Sequence, residues 1–404
     1  MSGRLLYHGF GIRGYRYVKL DVHNGGMELV IEQPRDRLRC PCCGRSDVIA
    51  KGHTRRSFRT VGIGAKPVRI VLPVPRILCR SCGIIRQAKV GFADDRVSYT
   101  RSFERYALEL SRSMTIQDVA RHLKISWDVI KDIQKRHLKK HYARPKLGHL
   151  TQIAIDEIHI GKGQKYVTLV LDLESGAVVF LGKGRGAESL APFWRRLKRS
   201  GAKIEAVAID MSPAYTLSVT TNLPDAVLVY DRFHVMKLFH DKLSDLRRDL
   251  YHEATTKLQK DVLKGTRWLL LKNPENLDQA KKEPQRLREA LQLNESLATA
   301  YYLKESLSWF WQQPDRKAAE LHLEIWMLQA ELSGVRMLQQ FAKTLQQHRT
   351  GLLNWYRYPI STGPLEGTNN KIQTMKRQAY GYRDLEFFQL KIYALHTTKY
   401  ALVG

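Results

Sequence analysis

Ile153-Ala154-Ile155-Asp156-Glu157 and Ile204-Glu205-Ala206-Val207-Ala208-Ile209-Asp210-Met211 are two short apolar runs, each closed by an aspartate. Such a run is the pattern of a strand buried on both faces. An acid at its end stands at the carboxyl end of the strand, where α/β sheets place their ligands. Outward from the first run, Thr151–Ile158, Lys165–Asp172 and Gly176–Gly182 read as three strands, joined by connections short enough for antiparallel pairing. Ala187–Arg199 reads as a helix with Leu190, Phe193, Trp194 and Leu197 on one face. The Asp210 run is then a fourth strand, and Ala226-Val227-Leu228-Val229-Tyr230-Asp231 a fifth.

Three antiparallel strands, a helix, a strand, a helical connection and a strand make the ribonuclease-H-like order. In that order the first and fourth strands are neighbours, which puts Asp156 beside Asp210. A third acid, Glu366, lies in Ser361-Thr362-Gly363-Pro364-Leu365-Glu366-Gly367-Thr368-Asn369-Asn370. Gly363-Pro364 reads as a helix start, with proline pre-set for the first turn. Along the helix 365–378, Glu366, Asn370, Gln373 and Arg377 recur on one face, and Lys371, Lys376 and Arg377 make it basic. Two strand acids and one helix acid suit two Mg²⁺ ions arranged for in-line attack on a phosphodiester. The plainer readings are a strand-end cap for each aspartate and, for Glu366, favourable placement near a helix N-terminus, worth up to ~1 kcal/mol.

The bulk numbers narrow the partners. The chain has 404 residues, enough for two to four domains, and 43% hydrophobic content, ordinary for burying cores. With 67 Lys+Arg against 39 Asp+Glu the net charge is +28, which favours a polyanion. No apolar stretch approaches the ~18–20 residues of a spanning helix, and the first ten residues lack the apolar core of a signal peptide. The expectation from these numbers is a soluble intracellular protein with nucleic acid, favoured over an anionic membrane surface, as its partner.

All five cysteines fall between residues 40 and 82. Cys40/Cys43 and Cys79/Cys82 are C-x2-C pairs, each followed by a glycine that permits a sharp turn. Four thiolates suit one tetrahedral Zn²⁺. Between the pairs, Ser57–Val61 and Val68–Leu72 read as ribbon strands, so the segment is expected to be a zinc ribbon; Cys42 has no assignment. The ribbon is rich in Arg and Lys, as a surface that tracks phosphates would be. Residues 1–35 read as an irregular or short-stranded lead-in.

Residues 100–140 read as helices. Ile116, Val119, Ala120, Leu123, Ile125, Val129, Ile130 and Ile133 supply a small core around a break at Lys124-Ile125-Ser126, with Ser126 able to cap the following helix. This is a helix-turn-helix pattern whose second helix enters the major groove. Trp127, Asp128, Lys131 and Lys135 are placed near its exposed face, and a plain helical hairpin is the alternative. Residues 235–358 read as helical, with Trp268, Trp309, Trp311, Trp326, Trp355, Leu258, Leu269, Leu291, Leu321, Ile325, Leu328, Leu332 and Leu345 as core residues. They form an all-α insertion before the last helices, of which the final one runs Leu385–Lys399.

Together the zinc knuckles, the helix-turn-helix, Ile155-Asp156-Glu157, Ala208-Ile209-Asp210-Met211-Ser212, Asp231-Arg232-Phe233-His234-Val235 and the 363–370 motif resemble the ISL3 family of bacterial insertion-sequence DDE transposases. The resemblance covers nearly the whole chain. It implies a Mg²⁺-dependent transposase with Asp156, Asp210 and Glu366 as catalytic metal ligands. It also implies double-stranded DNA (the terminal inverted repeats and the target) as the partner, strand cleavage and strand transfer as the reaction, a cytoplasmic, nucleoid-associated location with no membrane, and a homo-oligomer, at least a dimer, when acting. Trp127, Lys131, Lys135, Arg136, Lys371, Lys376 and Arg377 are the expected DNA contacts. The expected class is multidomain α+β: a zinc-ribbon domain (1–95), a helix-turn-helix domain with linker (96–147), a catalytic core in two parts (148–234 and 359–404) and the helical insertion (235–358). A catalytically silent, sequence-specific DNA-binding regulator and a structure-specific nuclease are the competing readings. Asp231 ranks with Asp172 and Glu157 below the three acids, as a support for the metal site or for the orientation of the insertion.

Overall fold

The computed structural model describes residues 3–23, 25–161 and 166–396, and the chain forms two units, each taken here by itself. Lys165 and the end of the expected last helix lie outside the described residues, as does the side chain of Leu258.

The first unit takes in the described residues up to Ala143 together with Gln378–Ala394. After a helix, Gly3–Phe10, come strands β1 (Arg16–His23), β2 (Gly26–Glu32), β3 (Val48–Ile63), β4 (Lys66–Cys79) and β5 (Ile85–Gln87). The sheet order is β1-β2-β4-β3, with β5 on β4. The lead-in is therefore more regular than its sequence suggested. The two ribbon strands are the middle of a longer antiparallel pair, in which Phe58 faces Ile70 and Thr60 faces Val68. Alternate residues of that pair, Phe58, Val68, Ile70 and Leu72, are buried with Leu29 and Ile31, the period-2 signature of a sheet with one covered face.

Three helices follow, Arg101–Leu110, Ile116–Leu123 and Trp127–Tyr142. Thr115 caps the second by accepting from the Asp118 amide, and Lys124 ends it with φ +50. Ser126 stands at the N-cap of the third helix, but its side chain makes no capping hydrogen bond. All eight apolar residues expected for the small core pack there, joined by Tyr99, Phe103 and Ala107. The helix Leu385–Ala394 belongs to this unit, whereas the sequence reading put all of 359–404 with the catalytic core. Its Phe387, Leu390 and Ala394 pack on Leu138, a long-range apolar contact that no local pattern announces.

The second unit spans Arg144–Arg377 and includes Leu395 and His396. Its sheet holds β6 (Gln152–His159), β7 (Tyr166–Asp172), β8 (Val178–Lys183), β9 (Ala206–Ile209) and β10 (Val227–Tyr230). The order is β10-β9-β6-β7-β8. β6, β7 and β8 pair antiparallel, and β6–β9 and β9–β10 pair parallel. The first and fourth strands of this sheet are thus neighbours, with Ala154 opposite Ala208. Phe193, Trp194 and Leu197 of the helix Ala191–Ser200 are buried against the sheet's core, as their spacing required.

From Arg232 to Leu353 the elements are helices and short 3₁₀ turns, the longest being Arg232–Glu253, Arg316–Leu332 and Arg336–Leu353. The expected core is only partly correct. Trp311, Trp326, Leu269, Leu291 and Leu345 are buried, but Trp268, Trp309, Leu321, Ile325, Leu328 and Leu332 are exposed. On Arg316–Leu332 the face that packs is Ala319, Leu323, Trp326, Met327 and Ala330, opposite the stripe the sequence offered. The helix Gly363–Gln378 closes the unit.

Candidate active site

Two groups of side chains are candidates for chemistry, one in each unit. In the first unit the cysteine pairs form matching knuckles. The Gly44 amide donates to the Cys40 carbonyl and the Gly83 amide to the Cys79 carbonyl, both at 2.9 Å. Gly44 and Gly83 have φ of +76 and +69, a turn that a Cβ would strain. The knuckles face each other, with Cys40 Sγ 3.6 Å from Cys82 Sγ and Cys43 Sγ 3.5 Å from Cys79 Sγ. All four sulfurs lie within 4.8 Å of one another. Backbone amides of Cys43 and Cys42 aimed at Cys40 Sγ hold that thiol down at about 6, whereas at Cys43 and Cys82 the lowering by the Arg45 and Ile84 amides is outweighed by burial and the neighbouring sulfurs, which push the thiols up. Four soft donors in a closed set fit a structural Zn²⁺. Cys42 is exposed and outside the set.

In the second unit Asp156 lies within β6, which runs on past it to His159 in pairing with β7 and so does not end at the acid as expected, while Asp210 follows the end of β9, the strand beside it. Parallel pairing sends both carboxylates to the same end of the sheet. Burial raises the pKa of Asp156, and the charge of Asp210 adds to the rise, against the lowering by His234, the Glu157 amide and Asn369. Its two oxygens are held in place: Oδ1 accepts from the Glu157 amide at 2.7 Å and Oδ2 from Asn369 Nδ2 at 3.0 Å. Asp210 Oδ1 accepts from the Ser212 amide at 3.0 Å, where the next helix starts. Glu157 is also pushed up, first by burial and then by Asp210.

Glu366 stands in the first turn of the helix Gly363–Gln378, exposed, one turn before Asn369. Among the described residues the three acids do not form a convergent cluster like that of the cysteines. The helix reaches β6 through Asn369 and through Gln373, whose Nε2 donates to the His159 carbonyl at 2.8 Å. Asn370, expected on that face, is exposed instead.

Sequence reading gave no role to His234 and Asn369, although both stand in quoted motifs, and it left Asp231 unresolved. Asp231 is 1% exposed and caps the helix Arg232–Glu253 by accepting from the His234 amide. Its other oxygen accepts from the Thr362 amide at 2.9 Å, so one carboxylate joins the starts of two helices. His234 bridges two acids, with Nδ1 3.2 Å from Asp231 and Nε2 3.9 Å from Asp156. Burial works against its protonation, but the Asp231 hydrogen bond and the Asp156 charge outweigh it and raise its pKa. For Asp231 the balance runs the other way: burial raises, His234 and Thr362 lower, and the net shift is down.

A hard divalent cation fits this site. The carboxylates are oxygen donors crowded enough to repel, and Asn369 Oδ1, beside Asp156, is buried with no hydrogen-bond partner among the described residues.

The expected DNA contacts are scattered. Lys371 and Arg377 are exposed on the helix Gly363–Gln378, and Lys376 is half-buried there. In the first unit Trp127 is 48% exposed. Lys131 and Lys135 are ion-paired with Asp384, and Arg136 with Asp94.

Residues 153–392 match a family model described as transposase, of the ISL3 DDE type. Residues 88–138 match the helix-turn-helix domain of transposase family ISL3. Residues 36–82 match the zinc-finger of the transposases of IS204, IS1001, IS1096 and IS1165. The chain is 36% identical over 337 residues to the transposase for insertion sequence element IS1001 of Bordetella parapertussis, covering 81% of each. It is 26% identical over 390 residues to the transposase for insertion sequence element IS1557 of Mycobacterium tuberculosis, covering 90% of this chain and 87% of that one. A solved structure, the Drosophila P element transposase strand transfer complex, overlaps 76% of this chain and 94% of its own at 12% identity, with a TM-score of 0.40.

Proposed function

As the chain belongs to the ISL3 family of insertion-sequence transposases, we propose that it binds the terminal inverted repeats of an insertion sequence and carries out divalent-metal-dependent cleavage and strand transfer on them. The observation that carries this reading is the pair Asp156 and Asp210, on neighbouring parallel strands, with Asn369 and His234 against the first. The sheet order and the helices between β10 and Gly363 support a ribonuclease-H-like core with an all-α insertion.

Asp156, Asp210 and Glu366 would hold Mg²⁺, which when bound supplies Lewis-acid activation for attack on a phosphodiester. The rest is done by the chain itself. Glu157 and Asn369 fix the orientation of the Asp156 carboxylate. Asp231 ties Thr362 to His234, which sets the start of the helix bearing Glu366. Lys371, Lys376 and Arg377, beyond Glu366 on that helix, are the cations to hold the DNA backbone beside the acids. The four cysteines would hold one structural Zn²⁺ in the ribbon. Two ends must be cut and joined, so the acting form would be an oligomer, at least a dimer. Among the described residues no helix is long and apolar enough to cross a membrane.

The test is cleavage of a labelled duplex carrying the repeats that flank the gene, with Mg²⁺. Wild type is expected to nick at the element end, while Asp156→Asn, Asp210→Asn and Glu366→Gln bind the duplex but do not cut. Cutting by Glu366→Gln at the wild-type rate would remove Glu366 from the site. Binding by wild type with no cutting, even on paired ends, would favour the regulator reading.

A further inference from the structure

The third helix of the helix-turn-helix, Trp127–Tyr142, does not offer its lysine row to solvent. Lys131 Nζ lies 3.2 Å from Asp384 Oδ2, and Lys135 Nζ lies 3.0 Å from that atom and 2.8 Å from Glu386 Oε2. Lys139 Nζ takes the other oxygen of Glu386 at 2.8 Å. Beneath these pairs Leu138 packs with Phe387, Leu390 and Ala394. The segment 384–394 thus covers this side of the helix with two carboxylates. On the adjoining outward face stand two more acids, Asp128 and Asp132, both exposed. As folded, that side has little attraction for a phosphate backbone.

Another surface of the same unit has the opposite character. Between the helix Arg101–Leu110 and the C-terminal half of Trp127–Tyr142 lies an open groove of about 900 Å³. Arg101, Arg105, Arg136, Lys139 and Lys140 line it, against two acids, Asp94 and Glu104. Asp94 is taken by Arg101 at 2.9 Å and by Arg136 at 3.1 Å, so it also fixes those two guanidinium groups in the wall. Burial pushes Glu104 towards its neutral form. Among the described residues neither Arg105 nor Lys140 has an acidic partner within 4.0 Å, and both are exposed. The groove is therefore concave and holds more cations than acids, with Arg101 and Arg136 fixed in its wall on Asp94 and with Arg105 and Lys140 exposed and without an acidic partner among the described residues.

We propose that this groove holds the phosphate backbone of duplex DNA, so that the helix-turn-helix unit grips DNA on its Arg105–Lys140 side and not on its Lys131–Lys135 side. The proposal rests on the reading that the chain binds DNA and names the surface that does so. A backbone contact holds any sequence equally, and each one lost lowers the slope of log affinity against log salt by about 1.

The experiment uses the full-length, zinc-loaded protein with two labelled duplexes, one carrying the terminal repeat and one unrelated, over a salt series. The variant Arg105→Gln/Lys140→Gln is expected to weaken both duplexes alike, by about tenfold or more, and to lower the salt slope by about 2. Arg105→Lys/Lys140→Arg is expected to keep the wild-type slope, which separates lost charge from lost folding. Asp384→Asn/Glu386→Gln, which frees the lysine row, is expected to leave the slope unchanged. The groove assignment is overturned if the first variant binds like wild type, or if freeing the lysines tightens binding and steepens the slope. If folded wild type binds neither duplex at any salt, the DNA-binding reading itself fails and the groove falls with it.

Discussion

Asp231 shows most clearly what one side chain decides. It is a buried carboxylate that accepts from the amides of His234 and Thr362, residues that open different helices. Removing it strips an N-cap, worth ~0.5–2 kcal/mol, and leaves the buried Thr362 amide unsatisfied, worth ~1–3 kcal/mol. Asp231→Ala should therefore cost roughly 2–4 kcal/mol in urea denaturation, and it should slow cleavage by loosening the start of the helix that carries Glu366. A loss under ~0.5 kcal/mol, the size of an ordinary surface change, would show that the two helix starts are held by something else. The sequence displayed Asp231 at a strand end but not its partner, because Thr362 is 131 residues away. Asn369 and Asn370 raise the same difficulty: adjacent positions on a helix point about 100° apart, and a face read by eye can miss by one residue. The cysteines were easier, since knuckle spacing is local. Cys43→Ser should lose the metal and Cys42→Ser should keep one zinc per chain, as read by a colorimetric release assay.

Among the elements, the helix Arg316–Leu332 carries two apolar stripes. Trp326 and Leu323 are buried at 1% and 0% exposure, while Leu332 on the opposite stripe is 77% exposed. Periodicity finds both stripes and cannot say which one faces the core; only the position of neighbouring helices does. Trp326→Ala should cost about 3–5 kcal/mol, whereas Leu332→Gln should stay within about 0.5 kcal/mol. Equal costs in thermal or chemical denaturation would mean that the exposed stripe is covered in solution.

The helix Leu385–Ala394 gives a pH test. Burial alone would raise Asp384, but the Phe387 amide with Lys135 and Lys131 holds it down to about 2. A depressed carboxylate contributes stability above its unfolded pKa, near 3.9, and loses it as pH falls through the folded value. Hydrogen exchange across 385–394 should stay constant from pH 7 to about 4, once corrected for intrinsic rates, and lose protection from there towards 2. Loss already between pH 7 and 5 would assign the attachment to other groups.

On the scale of the whole molecule, the chain divides its candidate sites between two units, each with its own sheet. The cysteine cluster closes the end of β4 and lies in a short segment, so a bound metal there substitutes for core. A strong chelator is expected to raise hydrogen exchange across residues 40–82 and to leave β6 to β10 unchanged. Exchange rising equally in both sheets would show that the metal stabilises more than the ribbon. The +28 charge is not spread as free cations. Lys131, Lys135 and Lys139 are spent on Asp384 and Glu386, while Arg105 and Lys140 are not. Net charge told that a polyanion is the partner class, but it cannot locate the contact, because only the unpaired part of the charge attracts one.

By itself the sequence determined most of the elements and which residues could make up the two candidate sites. The apolar runs of β6 and β9, the C-x2-C pairs with their glycines, and the core spacing of the three short helices are all signals within a few residues, and the structure has each in place, although β6 runs on past Asp156 to His159. That β6 and β9 lie together was expected from the likeness of the element order to a ribonuclease-H-like fold, and the parallel pairing of the two strands agrees with it. Only the tertiary structure decided which stripe of Arg316–Leu332 is core, that Leu385–Ala394 lies on Leu138, that Asn369 is the residue on Asp156, and that Asp231 joins two helix starts. These are contacts between residues far apart along the chain. Their energy depends on which surfaces come together, and no period in the sequence encodes that.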